Sequence, residues 1–184
     1  MKVKGLFSGF YKRSRLTLKS KFIKNLTPLE RHEFIQFCHR RCYKEGEYIY
    51  YQGDPGTGMY FIEEGRIQLM VTNSLDNSEQ GTTTFDIEAP DSFGALAIGY
   101  ELRRLSSARA LSNCTLLGFF KPDFETLKKR HPVIALKFME SVAMLSMRQL
   151  ERTTSRLEEA TDTQTAFSIH FNTYHSREEG TEES

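Results

Sequence analysis

The stretch SFGALAIGYELRRLSSARAL, residues 92–111, holds the arrangement in this chain best suited to chemistry. It places Gly94 and Ala95 ahead of a short apolar turn, then two adjacent arginines, Arg103 and Arg104, and a Ser-Ser-Ala exit. A helical turn that opens on small residues leaves backbone N–H groups without intrahelical partners. Those groups and the helix dipole attract an anion. An arginine nearby adds a planar, permanently charged fork that matches phosphate. Three readings are open at this level: an anion pocket, an ordinary loop, or the remnant of a pocket.

Other reactive residues point to less. Three cysteines make no disulfide framework. Cys38 and Cys42 lie four apart with His39 between them, so on a helix they would share a face, as two metal ligands can. No second ligand pair follows, and reduced, partly buried thiols are expected. No Ser/His/Asp or Cys/His set stands out. The sequence therefore predicts no catalysis, no metal and no cofactor.

The elements that must position residues 92–111 are legible in the periodicity. Thr27-Pro28-Leu29-Glu30 reads as a capping box with proline at the first helical position. That helix is expected to run to about Cys38, with Leu29, Phe34, Ile35 and Cys38 on its buried side. The period then becomes two. Glu47–Tyr51 reads as a strand, Gln52–Gly58 as a turn, and Met59–Val71 as a hairpin turning at Glu64-Gly65. Asn73–Gly81 is a polar loop; Thr82–Ala89, Ser107–Leu111 and Thr115–Phe120 read as further strands. Short strands at regular spacing predict an antiparallel β-roll or jelly roll, mainly β with flanking helices.

From Lys121 the pattern is helical. A short helix stops near His131-Pro132, and a long one follows over 132–159. Leu136, Met139, Ala143, Met147, Leu150, Thr154 and Leu157 form a heptad seam. The seam could dock on its own barrel or pair with a second copy; a homodimer through 136–157 is expected, because the seam outlasts a small barrel. Phe167, Ile169 and Phe171 alternate weakly, as in an edge strand.

Composition bounds the class. The chain has 184 residues, 39% hydrophobic and 27% charged, which suits one soluble globular domain with tails. No apolar run approaches the ~18 residues of a membrane span, and with no disulfide framework a cytoplasmic location is expected. Net charge is only +1, too little for a strong field toward nucleic acid. Its distribution is uneven: 1–19 is a basic arm without acids, 20–159 the domain, and 160–184 an acidic tail expected to be mobile. The arm also carries Leu6, Phe7, Phe10 and Tyr11, so an acidic protein or an anionic membrane surface is its expected kind of partner.

Together these parts resemble the cyclic-nucleotide-binding domain family over about residues 20–159. Gly53, Asp54, Tyr60, Ile62 and Gly65 fall where that family's Gly-Asp turn and following strands place them. Residues 92–111 are similar to its phosphate cassette: Phe93, Gly94, Leu96, Ala97 and Ile98 match, and Arg104 takes the arginine position. The resemblance implies a ligand site of Phe93, Gly94, Ala95, Leu96, Ala97, Arg104, Leu105 and Ser106, with cAMP or cGMP as ligand and Arg103 facing solvent. It implies a non-enzymatic sensor that signals through its C-terminal helix. Two departures stand out. Ala95 replaces the glutamate that accepts the ribose 2′-hydroxyl in the family, and Leu105 replaces a small or hydroxyl residue and would crowd the phosphate end. They favour an alternative, a degenerate-pocket interaction or dimerisation module that binds no nucleotide. Relatives that regulate transcription carry a helix-turn-helix domain after the long helix. Here the 25 residues after Glu159 are acidic on balance, so direct DNA binding is not expected.

Overall fold

The computed structural model describes residues 20–72, 81–99 and 101–175, with side chains through residue 172. The basic arm, and with it the expected acidic or membrane partner, lies outside the described residues, as does the loop over 73–80. Helix α1 (Pro28–Gln36) opens as the sequence predicts. The Glu30 N–H donates to Thr27 Oγ1 at 3.3 Å, and the Thr27 N–H donates to Glu30 Oε2 at 2.7 Å.

Eight strands follow among the described residues: β1 (His39–Tyr43), β2 (Tyr48–Tyr50), β3 (Gly58–Glu64), β4 (Arg66–Thr72), β5 (Thr82–Glu88), β6 (Ser92–Phe93), β7 (Ser107–Ala110) and β8 (Cys114–Phe120). All pairings are antiparallel. One sheet runs β1-β8-β3-β6 and the other β2-β7-β4-β5, a β-roll. The helical elements are a four-residue turn, α2 (Leu96–Gly99), then α3 (Lys121–Arg130), α4 (Pro132–Ala160) and α5 (Thr163–His175).

Four expectations change. Helix α1 stops before Cys38, and Cys42 lies on β1, so the two thiols share no helical face. Strand β1 is polar in sequence and forms because its register with β8, His39 opposite Gly118 through Tyr43 opposite Cys114, supplies its backbone partners. Leu29 is exposed, while Phe34 carries the buried face of α1. Residues 58–72 are not a hairpin: β3 and β4 belong to different sheets. Gly65 forms the corner between them at φ +94°, and a Cβ there would fall 2.6 Å from Cys114 Sγ. Finally, Phe167, Ile169 and Phe171 lie on a helix, not an edge strand. Asp162 starts it, accepting the Thr165 N–H at 2.8 Å and the Thr165 hydroxyl at 2.7 Å.

The described residues form two compact units, one through Val142 and one from Ala143. The first unit has two cores because its central strands bury both faces. Met59 and Phe61 of β3, with Leu117 and Phe119 of β8, face the helices and meet Phe34, Phe124, Leu127 and Phe138. The rings of Phe34 and Phe119 lie 4.7 Å apart, and those of Phe119 and Phe138 lie 5.4 Å apart. The alternate residues Tyr60, Ile62 and Leu116 face into the roll with Ile67, Phe93, Ala108 and Ala110. In the second unit, α5 packs Ala166 to near-complete burial. Met147, Leu150 and Thr154 of α4 and Ala166, Phe167 and His170 of α5 are among the residues lining a groove of about 390 Å³.

Candidate functional site

Strand β6 ends at Phe93, whose ring stacks on Tyr60 at 5.3 Å inside the roll. The chain then bends at Gly94, φ +79°, into α2. A Cβ at position 94 would lie 2.5 Å from Nη1 of Arg104. The backbone angle favours glycine here, and any larger residue would also push the guanidinium end aside. The turn closes with the Ala97 N–H donating to Gly94 O at 3.2 Å and the Ile98 N–H to Ala95 O at 3.1 Å.

Arg104 is held by its own backbone first. Its N–H donates to Asp54 O, and its carbonyl accepts the Gly53 N–H, both at 2.8 Å. Its side chain is 5% exposed. Nη2 donates to Gly58 O at 2.7 Å, and the guanidinium carbon sits 4.3 Å from the centre of the Tyr50 ring. Nε is buried with no hydrogen-bond partner. Among the described residues, no carboxylate pairs with Arg104. A buried cation normally has a counter-charge, because desolvation otherwise costs several kcal/mol. The geometry around Gly94 thus holds a fixed positive charge with an unused donor: the chemistry of an anion site.

Burial raises the Tyr50 hydroxyl pKa above its usual range, against the opposing effects of the Arg104 charge and a hydrogen bond with Ser106. Burial also raises that of Tyr60. Both phenols stay neutral and add no negative charge to compensate Arg104.

The expected site residues fall into two groups. Phe93, Gly94, Ala97 and Arg104 are assembled together, and Ser106 joins them through Tyr50. Ala95 is half-buried, turned toward the helix-side core. Leu96 and Leu105 point outward; Leu105 is 78% exposed and so does not crowd the site. It lies between buried Arg104 and half-buried Ser106, just before β7. Arg103 is exposed as expected, but its Nη1 also donates to Gly53 O at 2.9 Å. Sequence reasoning missed Tyr50 and the Gly58 carbonyl. Their only sequence signal is alternation in β2 and the position of Gly58 after the turn.

Asp91 and Glu101 are the two acids closest in sequence to Ala95. Asp91 Oδ1 accepts the Ser92 N–H at 2.8 Å. Glu101 is 98% exposed and lies 3.9 Å from Lys121 Nζ.

Comparison with known proteins decides the family. The family model for the cyclic nucleotide-binding domain matches residues 40–131, half of the chain. The chain belongs to the cyclic nucleotide-binding domain family. It is 30% identical over 112 residues to the human protein named cGMP-dependent protein kinase 2, covering 61% of this chain and 14% of the kinase. It is 31% identical over 134 residues to the Cyclic AMP receptor protein of Thermus thermophilus, covering 72% of this chain and 58% of the receptor. The chain thus spans a minor part of the kinase and just over half of the receptor. The crystal structure of the Thermus thermophilus Catabolite Activator Protein superposes with a TM-score of 0.66 at 27% identity, covering 77% of this chain and 63% of that one. A cyclic nucleotide-binding domain from Methylobacillus flagellatus has a TM-score of 0.67 at 15% identity, covering 86% of this chain and 88% of its own, and shows the shared fold. Among the described residues no group of three or more metal-ligating side chains occurs, and no helix is long and apolar enough to cross a membrane.

Proposed function

We propose that this chain is a non-enzymatic regulatory module that binds a cyclic nucleotide over Gly94 and signals through its C-terminal helices. One observation carries the reading: Arg104 is buried, has no carboxylate partner among the described residues, and holds an unused Nε donor. A cyclic phosphate brings one negative charge, and one guanidinium balances it. Relatives named for cAMP and for cGMP both match, so either base is a candidate. With Ala95 in the glutamate position, that position offers the ribose 2′-hydroxyl no carboxylate. One lost charge-assisted hydrogen bond costs about 1.5–3 kcal/mol, so affinity is modest and 2′-deoxy-cAMP binds as well as cAMP.

Signalling would run through the seam on α4. Leu136, Met147 and Leu150 are more than half exposed, and Ala143 is also exposed. A second copy covering them would make the homodimer. The reading is tested by calorimetry with cAMP, cGMP and 2′-deoxy-cAMP on the whole chain. Saturable heats lost in Arg104→Met support it. Heats equal to buffer dilution at millimolar ligand refute it and leave the interaction module without nucleotide.

A further inference from the structure

We propose that a second chamber, beside the cassette, binds an aromatic anion of nucleotide size. The chamber has a volume of about 820 Å³ and opens between the loop over 55–57, the segment over 101–103 and the start of α3. Neither Gly94 nor Arg104 lines it. Tyr60 does, and its ring stacks on Phe93, the residue before the cassette glycine.

Its floor is aromatic. Tyr60 and Phe120 meet edge to face at 5.7 Å. The Arg41 guanidinium lies 5.0 Å from the centre of the Phe120 ring. Arg103 and Lys121 complete a set of three cations, and Glu101 is the lone acid among the lining residues. That acid is almost fully exposed and reaches Lys121 only at 3.9 Å. Among the described residues, no carboxylate pairs with Arg41. Three cations against one acid give the lining a net positive charge, which an anion would offset. A ring lying against the aromatic side chains of Phe120 and Tyr60, with its charged group toward Arg41, Arg103 and Lys121, matches the aromatic and cationic parts of the lining. The volume lies within the range of small-molecule sites, about 300–1,000 Å³. A ligand there would bear on the backbone that carries Arg104, since Gly56 N–H donates to Leu102 O at 2.8 Å and Arg104 N–H to Asp54 O at the same distance.

The test titrates 5′-AMP into three forms of the whole chain: the wild type, Arg104→Met, and Arg41→Gln with Lys121→Gln. Adenosine is the uncharged control. Binding that survives Arg104→Met within about twofold, weakens about tenfold or more in the double variant, and fails for adenosine supports the chamber. Amide shifts on adding 5′-AMP should then centre on Thr57, Leu102 and Lys121 rather than on Leu96 and Ala97. That mapping also serves if the double variant folds poorly. No binding of 5′-AMP at millimolar concentration, binding unchanged in the double variant, or shifts centred on the cassette overturns the proposal. Loss of cyclic-nucleotide binding in Arg104→Met bears on the cassette alone.

Discussion

Replacing Arg104 with methionine should move binding and stability in different directions. In the structure, Nη2 is committed to Gly58 O and Nε has no hydrogen-bond partner; a bidentate phosphate would engage Nε and Nη1. Two charge-assisted hydrogen bonds contribute about 3–6 kcal/mol at about 1.5–3 kcal/mol each. That is roughly 10² to 10⁴ in affinity. The free protein should respond otherwise. Arg104→Met loses the Gly58 bond, about 1–3 kcal/mol, and the Tyr50 contact, about 1–2 kcal/mol. It also removes a desolvated, unpaired charge whose burial costs several kcal/mol. These terms offset, so the ligand-free variant should melt near the wild type or above it. Thermal melts with and without cAMP read both effects. A ligand at one hundred times its Kd stabilises the wild type by about 2.7 kcal/mol, or roughly 5–11 °C for a chain of this size. Arg104→Met should show almost none of that shift. A full ligand shift in the variant would refute the role of the guanidinium. A ligand-free variant that lost more than about 4 kcal/mol would show instead that the charge is already compensated.

Gly94→Ala should destabilise the free protein by about 1–3 kcal/mol in urea unfolding, since it combines a left-handed backbone angle with a Cβ 2.5 Å from Arg104 Nη1; wild-type stability would refute the strained geometry. Met147→Lys with Leu150→Lys should turn a dimer into a monomer in light scattering, because both residues are exposed on the α4 seam; an unchanged mass would refute seam pairing. Glu30 is held below the usual carboxylate range first by a hydrogen bond from Lys137 at 2.6 Å and then by the Thr27 backbone. Its contribution is therefore present above the unfolded pKa and lost as pH falls through the lower folded value. Wild type and Glu30→Gln should differ in urea midpoint at neutral pH and converge below about pH 4; a constant difference would refute that linkage.

Local patterns reached most of the fold. The Thr27-Pro28-Glu30 cap, the alternation in β4 and the heptad run in α4 are written in short-range spacing, and each element sits within a few residues of its expected place. Strand β1 was illegible because His39–Tyr43 carries no apolar alternation; β8 alone makes it a strand. The pair β3–β4 reads as a hairpin from sequence because two apolar strands meet at a glycine. Only the sheet partners distinguish a hairpin from a corner. Helix α5 was misread because aromatic residues two apart fit a strand, while the Asp162 cap shows only once Thr165 folds back on it.

The cassette divides the same way. The order Gly94-Ala95-Leu96-Ala97 and the arginine at 104 follow from the sequence, and so does the lack of an acid at 95. Burial of Arg104, the commitment of Nη2 to Gly58 and the Tyr50 ring against the guanidinium come from residues 46 and 54 positions away in the chain. The outward direction of Leu105 likewise shows only in the folded chain, where it is exposed beside buried Arg104 and half-buried Ser106. Sequence alone set which charges are available. Tertiary structure decided which one is desolvated and unpaired, because solvent exclusion and counter-charge depend on neighbours that the linear order does not place side by side.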